Sequence, residues 1–221
     1  MTRRLTLTFD NGPTPGVTER VLDVLDETGV LTTFFIVGDD LLRPGRREIA
    51  ANARARGHRI GNHTMTHSVL LGHEMDPAIP EREIDEAQTV LGDLAHAEKF
   101  FRPWGDGNLG PHLLSPTAVE RLEQGGYTLA LWNCVPRDWE DATGWVDRAL
   151  GEIASQDWTV LVLHDIDSGA MDHLPRFLTA VKDADVEIVQ EIPEVCTPIR
   201  RGQRIGDLTG LVTTGQRKGT P

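Results

Sequence analysis

Short apolar runs of strand character alternate with longer stretches of helical spacing about seven times along the chain, and no other feature restricts its fold as strongly. The runs fall at 5–9, 32–37, 59–61, 100–102, 128–132, 159–163 and 187–189, and the helical stretches at 18–28, 46–57, 81–96, 115–125, 145–156 and 172–183. Such an alternation implies a parallel sheet with helices outside it, because a parallel connection needs a crossover long enough to hold a helix. Gly29, Gly57 and Gly125 stand where helix C-caps are expected, and Ser115-Pro116 and Pro80-Glu81 make helix starts. Periodicity leaves two α/β architectures open, a doubly wound sheet and a closed barrel. The length suits one large domain, or at most two small ones, and is enough for a substantial core. We read residues 1–192 as that domain and 193–221 as a surface extension or tail, because the alternation stops after Val189 and 197–221 is rich in Gly, Thr and Arg.

Composition removes several functional classes. Against 34 Asp+Glu the chain has 22 Lys+Arg, a formal charge of −12, which argues against nucleic acid as partner. No stretch approaches the roughly 18–20 apolar residues of a membrane-spanning helix, so no membrane partner is expected. Cys134 and Cys196 lie too far apart for a zinc ribbon or a disulfide framework and are read as small buried residues. Met1-Thr2-Arg3-Arg4 leads directly into the alternating Leu5-Thr6-Leu7-Thr8-Phe9-Asp10. An export signal would instead show an apolar run of about 7–15 residues, so a cytoplasmic protein is expected.

In parallel α/β folds, sites form where strands end and lead into helices. The first strand ends in Asp10-Asn11-Gly12-Pro13, the third in Asn62-His63-Thr64-Met65-Thr66-His67 and the fourth in Arg102-Pro103-Trp104-Gly105. The fifth leads to Arg137-Asp138-Trp139, and the sixth ends in His164-Asp165. His63 and His67, four apart, share a face on a helical turn. Two neutral imidazoles suit a divalent transition metal, zinc first. A His-x-x-x-His alone is more often chance than ligand, but its place after a strand, with Asp10 at another strand end, favours a metal. Asn11 offers a neutral carbonyl oxygen as a further ligand.

The remaining residues then acquire roles. Asp10 takes a proton from a water on the metal, and His164 protonates a leaving amine while Asp138 orients its ring. Taken alone, Asp138 reads equally as a helix cap or surface charge. His164, after Val160-Leu161-Val162-Leu163, also reads as a core histidine on a backbone carbonyl. Trp104, Gly105 and Trp139 are read as substrate-binding, with core packing an equal alternative for Trp139, and Trp132, Trp145 and Trp158 as core. Asp39 and Asp40 either rim the cleft or cap a helix. His58, His73, His96, His112 and His173 are read as surface or structural.

Thr8-Phe9-Asp10-Asn11-Gly12-Pro13 and Gly57-His58-Arg59-Ile60-Gly61-Asn62-His63-Thr64-Met65-Thr66-His67 resemble the first two motifs of the polysaccharide deacetylases (carbohydrate esterase family 4, the NodB-homology domain). Phe34-Phe35-Ile36-Val37-Gly38 is similar to the family's second strand, and Arg102-Pro103-Trp104-Gly105, Arg137-Asp138-Trp139 and Leu163-His164-Asp165 to its later motifs in order. The resemblance spans about 5–189. It implies a distorted (β/α) barrel of about seven parallel strands and metal-dependent removal of acetyl groups from N-acetylated sugars. By that resemblance Asp10 is the base, His63 and His67 hold the metal, His164 is the acid, Asp138 tunes it and Arg102 orients the base. The backbone N–H of Trp104 would help stabilise the oxyanion.

Two departures stand out. Asn11 occupies the place of a second aspartate ligand, so one negative charge is lost from the metal set. Arg102 stands two residues before Trp104, where the family usually has three. The expected activity is removal of N-acetyl groups from an amino sugar or oligosaccharide with zinc, or else cobalt, nickel or manganese. A weakly metallated or metal-free hydrolase of a small C–N substrate such as a ureide is the alternative suggested by Asn11. A non-catalytic glycan-binding domain is a third reading, against which Asp10, Asp138 and His164 speak.

Overall fold

The computed structural model of the chain describes residues 2–214. Strand β1 (Arg4–Asp10) is buried from Leu5 onward, because both of its faces are covered. Leu5, Leu7 and Phe9 pack with Val21, Leu22 and Leu25 of helix α1 (Thr18–Thr28) in the larger core. Thr6 and Thr8 face the interior of the sheet's curl, where their hydroxyls are used in hydrogen bonds. Gly29 closes α1 with φ 67°, a left-handed cap that costs glycine nothing.

The chain continues through β2 (Thr33–Ile36), α2 (Gly38–Leu41), α3 (Arg46–Ala55) and β3 (Arg59–Asn62). Next comes a broken helix: α4 (Ala78–Pro80), a π-helical stretch (Glu81–Glu86) and α5 (Ala87–Leu91). The expected single helix over 81–96 is therefore corrected. It starts earlier, at Ala78, where Pro80 still needs no N–H partner, and it ends in a 3-10 turn at Gly92–Leu94. Then follow β4 (Phe100–Phe101), α6 (Pro116–Gln124), β5 (Thr128–Leu129), α7 (Trp145–Ser155), β6 (Trp158–His164), α8 (Leu174–Asp183) and β7 (Glu187–Ile188). As expected, Ser115 caps α6 by accepting the Ala118 N–H.

The seven strands form one parallel sheet in the order β5-β4-β3-β2-β1-β6, with β7 against the start of β1. Its two ends meet: beyond β5, Cys134 forms a parallel bridge to Leu161 of β6. Between them the Leu131 N–H donates to the Cys196 carbonyl. The result is the distorted barrel of seven parallel strands. Both cysteines are buried and free, and burial pushes the Cys134 thiol up to about 12.

After β7, Cys196, Ile199 and Leu208 pack into the second core cluster with α6. A small hairpin, β8 (Ile199–Arg200) with β9 (Gln203–Arg204), follows. Its cations are paired: Arg200 and Arg201 with Glu98, and Arg204 with Glu123. The expected fraying end, with Arg217 and Lys218, lies outside the described residues. Among the described residues no helix is long and apolar enough to cross a membrane.

His58 is structural. It is buried, accepts the Thr32 N–H on Nδ1 at 3.2 Å and meets the Phe34 ring edge-on. Burial lowers its pKa to about 4 from 6.5. The unfolded chain therefore takes up a proton first, and stability present above pH 6.5 is lost as pH falls toward 4. The expected loss from this side chain is at most about 3 kcal/mol. Urea titrations of wild type and His58→Asn at pH 7 and 4.5 check it. The asparagine oxygen can still accept from Thr32, so the variant should lose distinctly less stability on acidification.

Candidate active site

Asp10 ends β1, and its carboxylate is 6% exposed at the floor of a cleft on the C-terminal side of the barrel. The Arg102 guanidinium, from the end of β4, donates to Asp10 Oδ1 at 2.7 Å and to Thr8 Oγ1 at 2.8 Å from one nitrogen. Its Nε donates to the Ala130 carbonyl, and the plane lies 3.9 Å over Phe35. Burial alone would raise the Asp10 carboxyl. Arg102, with a smaller contribution from His164, outweighs it and holds the pKa below the ordinary 3.8. Asp10 is ionised. The unusual spacing of Arg102 and Trp104 does not keep the guanidinium from Asp10.

His63 and His67 converge, with ring centroids 4.8 Å apart, but not on a helical turn. Residues 63–67 form a loop in which Thr64 (φ 67°) and His67 (φ 51°) are left-handed. Side chains stabilise it where a helix's own bonds are lacking: the Asn62 amide oxygen accepts the Thr64 N–H, and Thr64 Oγ1 accepts the His67 N–H. Glu83, fully buried on the π-helical stretch, accepts the Thr66 N–H and hydroxyl. The Asn62 amide donates to the Ile84 carbonyl of the same stretch. His63 Nδ1 lies 2.9 Å from the Arg102 carbonyl, which only accepts, so the proton sits on Nδ1. Nε2 then turns its lone pair toward Asp10 Oδ2, 3.5 Å away. Burial and the neighbouring His63 lower the His67 pKa to about 3. Both imidazoles are neutral.

Asp10 and His164 are direct register partners on adjacent strands. The buried Asp138 carboxylate grips His164 twice, accepting the ring Nδ1–H at 2.8 Å and the backbone N–H at 2.9 Å. Burial opposes charge on the ring, but the Asp138 bond and charge, with Asp10 and Asp165 behind them, raise its pKa above 6.5. Trp139 stands edge-on to the His164 ring at 4.7 Å and Trp104 faces His67 at 5.6 Å. The cleft holds about 460 Å³, a size suited to a single sugar unit or acyl group.

Of the residues expected at the site, Asp10, Asn11, His63, His67, Trp104, Gly105, Trp139 and His164 line this one cleft, while Arg102 and Asp138 stand behind it. Trp132, expected in the core, is 5% exposed yet forms part of the cleft wall. Its indole N–H donates to the Gly107 carbonyl and braces the loop after Trp104. Asp39 and Asp40 lie in the first turn of α2 and line a second cleft that shares Asn11 and His67. Sequence reasoning missed Thr8, Asn62, Glu83 and Asp165. Asn62, next to His63, and Asp165, next to His164, both stand at strand ends and carried a positional signal.

The residues fit a divalent cation. Asn11 Oδ1 is buried with no hydrogen-bond partner, in the cleft that both neutral imidazoles line, and an orphaned buried acceptor of this kind is costly unless something occupies it. Among the described residues no three His, Cys, Asp or Glu side chains cluster as a metal set. The donors such an ion would find are therefore two nitrogens and a neutral oxygen.

The family model described as polysaccharide deacetylase matches residues 2–128. A chitooligosaccharide deacetylase from Rhizobium leguminosarum bv. trifolii is 32% identical over 167 residues, 74% of this chain and 72% of that protein. Among solved structures, a T48 deacetylase with substrate is 26% identical with a TM-score of 0.70, covering 86% of this chain and 88% of that one. A family 4 acetyl xylan esterase from Clostridium thermocellum in complex with a cobalt ion is 27% identical with a TM-score of 0.68, covering 85% and 88%.

Arg102→Met leaves Asp10 charged and unpaired in the barrel. The expected cost at pH 7 is about 3–5 kcal/mol, read as a shift of the urea midpoint. It should shrink on acidification, because Asp10 then takes up a proton.

Proposed function

The chain belongs to the polysaccharide deacetylase family (carbohydrate esterase family 4), and we propose that this member removes N-acetyl groups from amino sugars of short saccharides, chitooligosaccharides or peptidoglycan fragments, with zinc bound by His63, His67 and Asn11. The observation that carries the reading is the pairing of Asp10, held ionised by Arg102, with His164, whose pKa Asp138 raises, on neighbouring strand ends of one cleft.

A divalent metal in that place supplies Lewis acidity for the amide carbonyl and a more acidic water. The chain's own groups do the rest. Asp10, kept ionised by Arg102, takes the proton of the attacking water. His164 faces the cleft with Nε2, since Nδ1 is held by Asp138, and its proton goes to the departing nitrogen. Trp104 and Trp139 flank the reacting group and narrow the space left to bulk water. Two imidazoles and an amide oxygen favour zinc among divalent ions.

Acetate release from a panel of N-acetylated chitooligosaccharides and peptidoglycan fragments, with added zinc, tests the reading. Turnover abolished by Asp10→Ala is expected. Zinc binding with no acetate release from any member of the panel would overturn it.

The rate should require Asp10 ionised and His164 protonated. The kcat/KM profile therefore falls on the alkaline side as His164 loses its proton above pH 6.5. Asp138→Asn removes the charge that raises this pKa, so the alkaline limb should move to lower pH and the rate fall roughly 10²–10⁴-fold. A pH series on both proteins checks it. Asn11→Asp adds an anionic oxygen to the metal set and should tighten zinc binding at least ~tenfold by calorimetry.

A further inference from the structure

Asp165 is fully buried beside the acid His164, and the mechanism does not use it. Its two oxygens reach the loop that leaves β1. Oδ1 accepts the Gly12 N–H at 3.0 Å, and Oδ2 accepts the Thr18 hydroxyl at 2.5 Å. The Thr18 oxygen in turn accepts the Thr14 N–H at 2.7 Å. On the other side, the Asn11 N–H donates to the Phe35 carbonyl of β2 at 3.2 Å. The segment that carries Asp10 and Asn11 is thus held between β2 and one carboxylate that follows β6. The approach is too close for any residue but glycine at position 12, where a Cβ would lie 1.9 Å from Asp165 Oδ2. Asn11 itself is left-handed, φ 76°, a conformation that needs fixed neighbours to persist.

We propose that Asp165 is a positioning residue: by gripping Gly12 and, through Thr18, Thr14, it holds Asn11 with its amide oxygen in the cleft and ties the base-bearing loop to the acid-bearing strand end. The inference rests on the deacetylase reading above for its kinetic consequence and not for its binding consequence. The hydrogen bonds matter here. An asparagine at 165 can still accept from Gly12 and donate to the Thr18 oxygen, whereas alanine can do neither.

Zinc titration by calorimetry and steady-state turnover on an N-acetylated chitooligosaccharide, for wild type, Asp165→Ala, Asp165→Asn and Thr18→Val, test it, with near-ultraviolet dichroism to count folded molecules. Per folded molecule, Asp165→Ala should bind zinc ~10–100-fold more weakly and lose ~100-fold in kcat with KM changed less than threefold. Asp165→Asn should recover to within about fivefold of wild type, and Thr18→Val should fall between the two. Wild-type zinc affinity in Asp165→Ala overturns the proposal, and so does an Asp165→Asn protein as impaired as the alanine. Should the alanine variant not fold, an unaltered zinc affinity in Thr18→Val overturns it alone. No acetate release by wild type would instead count against the assigned activity, while the zinc titrations still decide the role of Asp165.

Discussion

The contact between Arg102 and Asp10 is the one on which the rest of the site depends. In the sheet order, β4 and β1 are separated by β3 and β2, a distance of roughly 14 Å across a flat sheet at about 4.8 Å per strand. An arginine side chain does not span that. The 2.7 Å bond exists because the sheet curls until the ends of β4 and β1 face each other across its interior. Burying two charges is expensive, and their attraction offsets it only when the geometry is good and other groups satisfy the remaining donors. Here Thr8, the Ala130 carbonyl and the Phe35 ring surround the guanidinium, and only its Nη2 is left without a hydrogen-bond partner. The curl and the ion pair therefore specify each other: an opened sheet would strand both charges.

From that constraint the division of labour that the proposed function gives Asp10 and His164 follows. Burial pushes the two groups toward neutrality, the carboxyl upward and the imidazole downward. Each is turned back by a partner of opposite sign, Arg102 for Asp10 and Asp138 for His164. Because the pair are register partners on adjacent strands, a one-residue slip between β1 and β6 would send one of them to the helix side of the sheet. Backbone pairing thus sets which groups meet, and two buried counter-charges set what each can do with a proton.

Much of this was legible in the sequence, and the limits are physical. Strand ends could be found because apolar runs stop there, and polar residues such as Asp10-Asn11 and His164-Asp165 at the end of a buried strand have little reason to be there other than a site. The geometry of the His63–His67 loop could not be read. A four-residue spacing suggests a helical turn, whereas the observed backbone depends on left-handed Thr64 and His67 and on Glu83, sixteen residues beyond the second histidine. A buried carboxylate inside a π-helical stretch has the same local pattern as a solvated one on an ordinary helix. Trp132 was missed for a related reason, since a side chain can be 5% exposed and still present that remnant to a cleft.

Under the proposed function, position 11 is where a metal and Asp10 would compete for charge. Without a cation, Asp10 is already balanced by Arg102, and Asp138 accepts the Nδ1–H of His164. A second carboxylate beside Asp10 would bind a cation more strongly. In its absence, the like charges would raise one of the two carboxyl pKa values, and Arg102, already bonded to Asp10, would have to serve both. Asn11 keeps an oxygen at that place without the charge. Under the proposed function, Asp10 would then stay ionised on Arg102 alone, at the expense of affinity for the ion. The left-handed backbone at residue 11 and the buried, unpartnered Oδ1 are what would be expected of a side chain kept there as a ligand and not as a surface amide. The substitution therefore reads as a retuning of the site that leaves its chemistry in place.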